Sequence, residues 1–87
     1  MPYLYILECA DGSYYTGSAI NIDDELIKHQ NGGTKYTKNK LPVELVFVHE
    51  FEDINKAFYY EKLLKGWSHN KKIALVERKI SDAFLDL

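Results

Sequence analysis

The sequence predicts a small α+β fold in which a three-stranded antiparallel sheet is flanked by helices, in the order β-β-α-β-α-α. Three observations predict it: a hairpin signal near the N-terminus, a later stretch of alternating apolar residues, and three segments that begin with helix-capping residues. With 87 residues, the chain is long enough for one hydrophobic core and too short for two. We therefore expect a single domain over 1–87, with its core at about 3–76 and a short C-terminal tail.

The N-terminal part of the chain is predicted to form a tyrosine-rich β-hairpin. Residues 3–8 have the sequence YLYILE, whose aromatic and β-branched side chains favour a strand. The dipeptide Asp11-Gly12 is a turn signal, and the segment YYTGS at 14–18 is the returning strand. Gly17 has no side chain to pack within that strand, so we expect another group to approach its backbone closely.

The first helix is predicted to follow Asn21, a residue type that caps helix N-termini. Three acidic residues at 23–25 come next, where the helix dipole favours negative charge. Gly32-Gly33 ends the helix, and the lysine-rich segment 34–42 after it is polar enough to form a loop.

The other two helices are predicted to follow Asp53 and Ser68, both good N-cap residues. The second helix ends before Gly66, and the third extends to about Glu77. Trp67, between them, is expected to anchor the core. Helical spacing predicts that one stripe of the second helix faces the sheet, and its members are Ile54, Ala57, Phe58, Glu61 and Leu64.

A third strand is predicted over about 43–51, between the first and second helices. Its residues alternate in the way that is typical of a strand. Because every second side chain of a strand points to the same side, we expect one face to carry Val43, Leu45, Phe47, His49 and Phe51.

The composition excludes several classes of protein. Apolar residues make up 46% of the chain and charged residues 28%, so wholesale disorder is excluded. No apolar run approaches the roughly 18 residues that a membrane span requires, and the N-terminus lacks a basic segment followed by a long apolar one. Cys9 is the only cysteine in the sequence, which excludes an internal disulfide and a multi-cysteine zinc site. We expect a cytoplasmic, reduced protein with no membrane partner.

Two basic blocks interrupt a chain whose net charge is −2. Residues 28–43 and 62–76 each contain four lysines and no acidic residue. Lysine binds phosphate as a point charge, whereas the reading of guanine edges favours arginine, so nucleic acid would be held by its backbone. The alternative is that both blocks are solvated surfaces, as charge runs usually are. The candidate nucleic-acid contacts are Lys35, Lys38, Lys40, Lys65, Lys71 and Lys72.

Four side chains are candidates for chemistry, and each also has a structural explanation. Tyr5 and Tyr15 lie on adjacent strands, where tyrosines commonly pack against each other. Glu61 lies in the apolar stripe of the second helix, where a carboxylate is either bound to a metal or paired, for example with Lys65 at i+4. His29 follows Ile22 and Leu26 at helical spacing and ends the stripe that they form on the first helix, as a catalytic residue or as a packed one.

In this order and spacing, the residues resemble the GIY-YIG family of nuclease domains. The tripeptide YLY at 3–5 stands where that family has Gly-Ile-Tyr, and YTG at 15–17 stands where it has Tyr-Ile-Gly. The resemblance extends over roughly 3–76 and is closest to the small single-domain bacterial branch, which is similar to the N-terminal nuclease domain of the excision-repair excinuclease. Segments typical of that branch are KYTK at 35–38, LPVELV at 41–46 and EKxxKGWS at 61–68.

The resemblance implies metal-assisted hydrolysis of phosphodiester bonds in DNA, with structured or damaged DNA as the substrate. It assigns the orientation or deprotonation of the attacking water to Tyr5 or Tyr15, and an assisting role to His29. Glu61 is then the ligand of a single Mg²⁺ or Mn²⁺. One carboxylate suffices because Mg²⁺ keeps several waters and takes further ligands from phosphate.

One position departs from the family pattern. The family has an arginine in the first helix that stabilises the phosphate in the transition state, and the matching residue here is Glu25. Losing one positioned electrostatic donor typically costs roughly 10²–10³ in rate, so we expect impaired cleavage. Lys28 is a partial substitute for the arginine or a solvated partner of Glu25, which could also join Glu61 as a second metal ligand. The alternative function is an inactive module that binds nucleic acid or an acidic protein on the same fold.

Overall fold

A computed structural model describes residues 1–86 and confirms the predicted α+β fold. The elements are β1 (Tyr3–Glu8), β2 (Tyr14–Ala19), α1 (Ile22–Gln30), β3 (Glu44–Glu50), α2 (Ile54–Lys65) and α3 (His69–Val76), followed by a short 3₁₀ turn (Ala83–Asp86). Within the described residues, no helix has the length and apolar character that crossing a bilayer requires.

The sheet has the strand order β2-β1-β3, with β1 antiparallel to both neighbours. Alternation along this central strand gives the sheet two buried faces. Leu4 and Ile6 point to the side covered by α2 and α3, which we call the α2 face. Tyr5 and Leu7 point to the side covered by α1, which we call the α1 face. Because β1 is buried on both sides, these four residues are at most 1% exposed.

The α2 face carries the larger apolar cluster. Its buried members are Leu4, Ile6, Phe47, Phe51, Ala57, Tyr60, Leu64, Leu75 and Leu85. Trp67 and Phe84 pack against this cluster with rings 5.4 Å apart, and the Tyr60 hydroxyl donates to the Phe84 carbonyl. The last turn of the chain is therefore joined to α2.

The stripe predicted for α2 was wrong at one residue. Phe58 is 48% exposed, whereas Tyr60 is 8% exposed and faces the sheet. Residues at i, i+3 and i+7 share one side of a helix, so Ala57, Tyr60 and Leu64 form the stripe. Phe58 follows Ala57 by one residue, which rotates it about 100° away from that side.

The single face predicted for the third strand was also wrong. Val43 and Leu45 pack on the α1 face, whereas Phe47 and Phe51 pack on the α2 face. The register shifts between Ile6 and the next residue of β1, so that β3 carries one extra residue there. Such a bulge reverses which side of the sheet the following residues face.

The predicted helix caps are confirmed. The side chains of Asn21, Asp53 and Ser68 accept hydrogen bonds from backbone N–H groups in the first turns of α1, α2 and α3. Each bond satisfies a donor that has no partner within the helix. Helix α1 ends at Gln30, and Gly32 follows with a φ of 76°, a conformation that glycine adopts without strain.

Candidate functional site

A chain of hydrogen bonds links four side chains on the α1 face. The Tyr5 hydroxyl donates to Oε2 of Glu25 at 2.8 Å and lies 2.9 Å from Nε2 of His29. On the other side of the imidazole, Nδ1 lies 2.8 Å from Oγ1 of Thr37. His29 and Thr37 are fully buried, so the hydrogen bonds must replace the water that these polar groups lose.

The direction of the protons in this chain follows from counting donors. Tyr5 has one hydroxyl proton and gives it to Glu25, so Nε2 of His29 must donate to the Tyr5 oxygen. In a neutral ring Nδ1 is then the acceptor, and Thr37 gives its hydroxyl proton to Nδ1 at 2.8 Å in preference to the Thr34 carbonyl oxygen, which lies 3.4 Å away. Burial lowers the pKa of His29 from its ordinary value, with Glu25 opposing, and this favours the neutral ring.

The hydrogen-bonded chain depends on the backbone around it. Glu25 and His29 are four residues apart on α1, which places both side chains on the same side of the helix. Tyr5 is opposite Gly17 in the sheet, and a Cβ at that glycine would lie only 2.6 Å from the Tyr5 hydroxyl oxygen. Gly17 therefore leaves the space in which the phenol reaches α1.

Glu25 and burial together keep the Tyr5 hydroxyl protonated. Burial is the larger cause of a raised pKa of Tyr5, and the hydrogen bond to the Glu25 carboxylate is the next. A carboxylate at this position stabilises the phenol, whereas an arginine would stabilise the phenolate. Glu25 is thus in contact with the candidate site and is not the solvated partner of Lys28 that its sequence position allowed.

Tyr15 lies beside this chain and is more accessible. Its ring centroid is 5.0 Å from that of His29 and 6.3 Å from that of Tyr5. On its other side Tyr36, from the lysine-rich loop, packs at 5.3 Å. Burial raises the pKa of Tyr15, and the Lys65 ammonium, 5.9 Å from the ring centroid, opposes that rise. Tyr15 is therefore the more readily ionised of the two candidate phenols.

Glu61 reaches from α2 to the edge of β2. Its Oε1 accepts a hydrogen bond from the Ser18 hydroxyl at 2.5 Å, and its Oε2 lies 2.7 Å from Nζ of Lys65. The Glu61 side chain is 17% exposed, and the hydrogen bond to its carboxylate raises the pKa of Lys65. The structure is therefore compatible with both explanations of Glu61 from the sequence, because the carboxylate is paired with Lys65, and that lysine lies 5.9 Å from the ring centroid of Tyr15.

An open cleft of about 310 Å³ lies along the outer edge of β2. Lys65 and Lys72 bring positive charge into it, and burial, together with Lys65, lowers the pKa of Lys72. Lys40 lies nearby, with Nζ 3.9 Å from the ring centroid of Tyr36. The cleft is lined by Tyr14, Tyr15, Thr16, Tyr36, Lys65 and Lys72. It therefore combines aromatic rings with cations, a lining that suits a phosphate-bearing ligand.

The other candidate lysines are placed differently. Lys35 and Lys38 are exposed in the loop between α1 and β3. Lys71 lies on α3 with Nζ 4.3 Å from the ring centroid of Trp67. Of the six predicted contacts, Lys65 and Lys72 line the cleft and Lys40 reaches it through Tyr36.

Sequence reasoning assigned no role to three residues of this site. Ser18 bonds Glu61, Thr37 bonds His29, and Tyr36 lines the cleft. The segment KYTK at 35–38 was singled out as a motif, and that signal contained both Tyr36 and Thr37. Nothing in the sequence around Ser18 distinguishes it from an ordinary strand residue.

The donor set around Glu61 limits which metal ion it can bind. Among residues 1–86, no group of three or more His, Cys, Asp or Glu side chains is placed to hold an ion. Zinc sites usually need three or four such ligands, so this site does not suit zinc. One carboxylate and the Ser18 hydroxyl, both oxygen donors, fit Mg²⁺ or Mn²⁺, which keep waters and take ligands from substrate.

Comparison with known proteins places the chain in a family. It matches the GIY-YIG catalytic domain over residues 1–74. A UPF0213 protein of Staphylococcus saprophyticus is 45% identical over 75 residues, which cover 85% of this chain and 92% of that protein. A UPF0213 protein of Clostridium perfringens is 40% identical over 80 residues, 91% of this chain and 86% of that one.

A solved structure agrees with these matches. The solution NMR structure of a UPF0213 protein from Bacillus halodurans is 39% identical in sequence and superimposes with a TM-score of 0.60. The alignment covers 99% of this chain and 94% of the other. The family resemblance carried by the hairpin tyrosines is confirmed: the chain belongs to the GIY-YIG family and is similar to its small UPF0213 members.

Proposed function

We propose that this protein is a nuclease that hydrolyses phosphodiester bonds in structured or damaged DNA. The observation that carries the proposal is that Tyr5, Tyr15 and His29 pack together from three elements of the fold, with Glu61 of α2 joined to them through Lys65, beside a cleft that holds two lysines. Membership of the GIY-YIG family supports a nuclease-type activity.

The accessibility of each residue suggests its task. Lys65 and Lys72 bind the phosphates of the DNA backbone as point charges. Tyr15 lines the cleft and has the more readily ionised phenol, so it orients the attacking water and, once it has lost its own proton to solvent, accepts the proton of that water as the phenolate. Tyr5 is buried and bonded to Glu25 and His29, so it holds the α1 side of the site in place.

Glu61, with Ser18 beside it, is the residue that would hold Mg²⁺ or Mn²⁺. When bound there, the ion supplies positive charge that stabilises the phosphate and the leaving oxygen. Glu25 acts against the reaction because its negative charge stands where the family has an arginine. We expect cleavage slower by a factor of roughly 10²–10³ than with a positioned cation.

Nicking of plasmid and branched DNA in Mg²⁺ or Mn²⁺ tests this proposal. We expect slow nicking by the wild type, none by Glu61→Gln, and faster nicking by Glu25→Arg. Glu52→Gln is the matched control, because it removes the same charge at an exposed position. Equal activity in wild type and Glu61→Gln would overturn the assignment of Glu61, and activity lost in Glu25→Arg would overturn that of Glu25.

A second function, a module that binds DNA without cutting it, is favoured by two observations. The Glu61 carboxylate is already neutralised by Lys65, and the Tyr5 proton is held by Glu25. If all the variants bind DNA and none nicks it, the binding module is the correct function. In that case the lysines bind the DNA backbone and the protein carries out no hydrolysis.

A further inference from the structure

The carboxylate of Glu61 has both of its oxygens engaged. Oε1 accepts from the Ser18 hydroxyl and Oε2 from the Lys65 ammonium at 2.7 Å. A divalent cation cannot bind Oε2 while the Lys65 ammonium occupies it, because the two positive charges would lie close together and repel each other. Lys65 must therefore leave before Oε2 can bind a divalent cation.

Lys65 has a second place to go. Its side chain is 49% exposed and lines the cleft beside Lys72. Its ammonium lies 5.9 Å from the ring centroid of Tyr15, which also lines the cleft. Four flexible carbons carry the charge, so the ammonium can turn from Glu61 into the cleft without moving the backbone of α2. A phosphate in the cleft is negatively charged, as the Glu61 carboxylate is, so it can replace that carboxylate as the partner of Lys65.

We propose that Lys65 is a positioning residue that exchanges between Glu61 and a phosphate of bound DNA, so that divalent-cation binding and DNA binding are coupled through it. This proposal rests on the proposed nuclease function. It adds a dependence of DNA affinity on the divalent cation, which hydrolysis alone does not require. Binding of the cation at Glu61 releases Lys65 to the phosphate, and phosphate in the cleft draws Lys65 away from Glu61. Coupling of this kind is reciprocal.

The first test measures Mn²⁺ affinity without DNA, by calorimetric titration. Lys65→Met removes the competing ammonium, and since such ion pairs are weak we expect Mn²⁺ to bind about two- to fivefold more tightly than to the wild type. Lys62→Met is the matched control: it removes a lysine charge from the same helix at an exposed position, and its affinity should stay close to that of the wild type. Glu61→Gln should lose the Mn²⁺ site.

The second test measures DNA affinity from the fluorescence anisotropy of a labelled duplex, in EDTA and in Ca²⁺ at equal ionic strength. In EDTA Lys65 must give up its ion pair with Glu61 to reach a phosphate, which offsets most of its contribution, so Lys65→Met should weaken DNA binding little more than Lys62→Met does. In Ca²⁺ Lys65 is released to phosphate, and the loss caused by Lys65→Met should be several-fold greater. An equal loss under the two conditions overturns the coupling.

The outcomes separate this proposal from the function on which it rests. If Glu61→Gln binds Mn²⁺ as the wild type does, the metal site is wrong and the exchange falls with it. If Glu61→Gln loses Mn²⁺ while Lys65→Met and Lys62→Met match each other, the exchange alone is wrong. A purely structural role for Lys65 predicts weaker Mn²⁺ binding in Lys65→Met, which is opposite in sign to our expectation.

Discussion

The two faces of the sheet are both well buried, but different forces hold them. On the α2 face, Leu4 and Ile6 meet Leu64 and other apolar side chains, whose contacts have no preferred direction. On the α1 face, Tyr5 and His29 are equally buried but are joined by hydrogen bonds that require each proton in one position.

This difference separates stability from the arrangement of the site. An apolar cluster tolerates exchange of one hydrocarbon side chain for another of similar volume. A buried polar chain does not tolerate the loss of a member, because the remaining partner then keeps the full cost of leaving water. The α2 face should therefore contribute most of the free energy of unfolding. The contribution of the α1 face should depend more strongly on each polar group and on pH.

The largest expected effect is the loss of an apolar side chain from the α2 face. Leu64→Ala should lower the free energy of unfolding by about 2–5 kcal/mol, because Leu64 is fully buried and its removal leaves a cavity. Urea denaturation followed by circular dichroism measures the change. The adjacent Leu63 is 41% exposed, so Leu63→Ala is a matched control that should cost less than about 0.5 kcal/mol. Equal losses of unfolding free energy in Leu64→Ala and Leu63→Ala would contradict the dominant contribution of the α2 face.

A smaller loss is expected from the polar chain of the α1 face. Thr37→Val keeps the shape of the side chain but removes the hydroxyl that lies 2.8 Å from Nδ1 of His29 and 3.4 Å from the Thr34 carbonyl oxygen, which should cost about 1–3 kcal/mol. Thr34→Val in the same loop is the control, because within the described structure Oγ1 of Thr34 is buried with no hydrogen-bond partner. That substitution should be neutral or stabilising. If Thr34→Val lowers the free energy of unfolding as much as Thr37→Val does, the cost of Thr37→Val does not come from the lost hydrogen bond to His29.

The pH dependence of stability should identify the α1 face directly. Burial lowers the pKa of His29 in the folded protein, whereas in the unfolded chain it has the ordinary value near 6.5. Below about pH 6.5 the unfolded chain binds a proton that the folded protein does not, so stability is full above that pH and falls as the pH decreases toward the folded pKa. The loss between pH 7 and 5.5 should be up to about 1 kcal/mol.

The control for this titration is His29→Gln, measured over the same pH range. The variant keeps His49 and His69, so only the contribution of His29 is removed. We expect its stability to change less with pH than that of the wild type. Parallel curves for the two proteins would show that the buried imidazole does not resist protonation.

Local sequence signals were sufficient for the elements and for their caps. Asn21, Asp53 and Ser68 cap their helices as predicted, because capping is decided within four residues of the chain. The third strand was located correctly, but the bulge opposite Ile6 and Leu7 divided its side chains between two faces. A bulge depends on pairing with a distant strand, so the alternation of a single segment cannot predict it.

The candidate site was predictable as a set of residues and not as a set of contacts. Family resemblance located Tyr5, His29 and Glu61, and it marked Glu25 as a departure. The hydrogen bond from Tyr5 to Glu25 joins residues 20 positions apart in the chain. Only the packing of α1 against the hairpin decides whether that carboxylate faces solvent or the phenol, and no periodicity in the sequence contains this information.

The smallest expected effect tests the side of α2 that the sequence assigned incorrectly. Phe58→Ser should change the free energy of unfolding by less than about 0.5 kcal/mol, because Phe58 is already 48% exposed and is not a member of the apolar cluster. If Phe58 faced the sheet, as helical spacing alone predicted, replacing its ring with a small polar group would cost about 3–5 kcal/mol. The two expectations differ by several times the error of urea denaturation. A value near zero therefore sharpens the contrast between the faces, since it limits the apolar cluster to the side of α2 that carries Ala57, Tyr60 and Leu64.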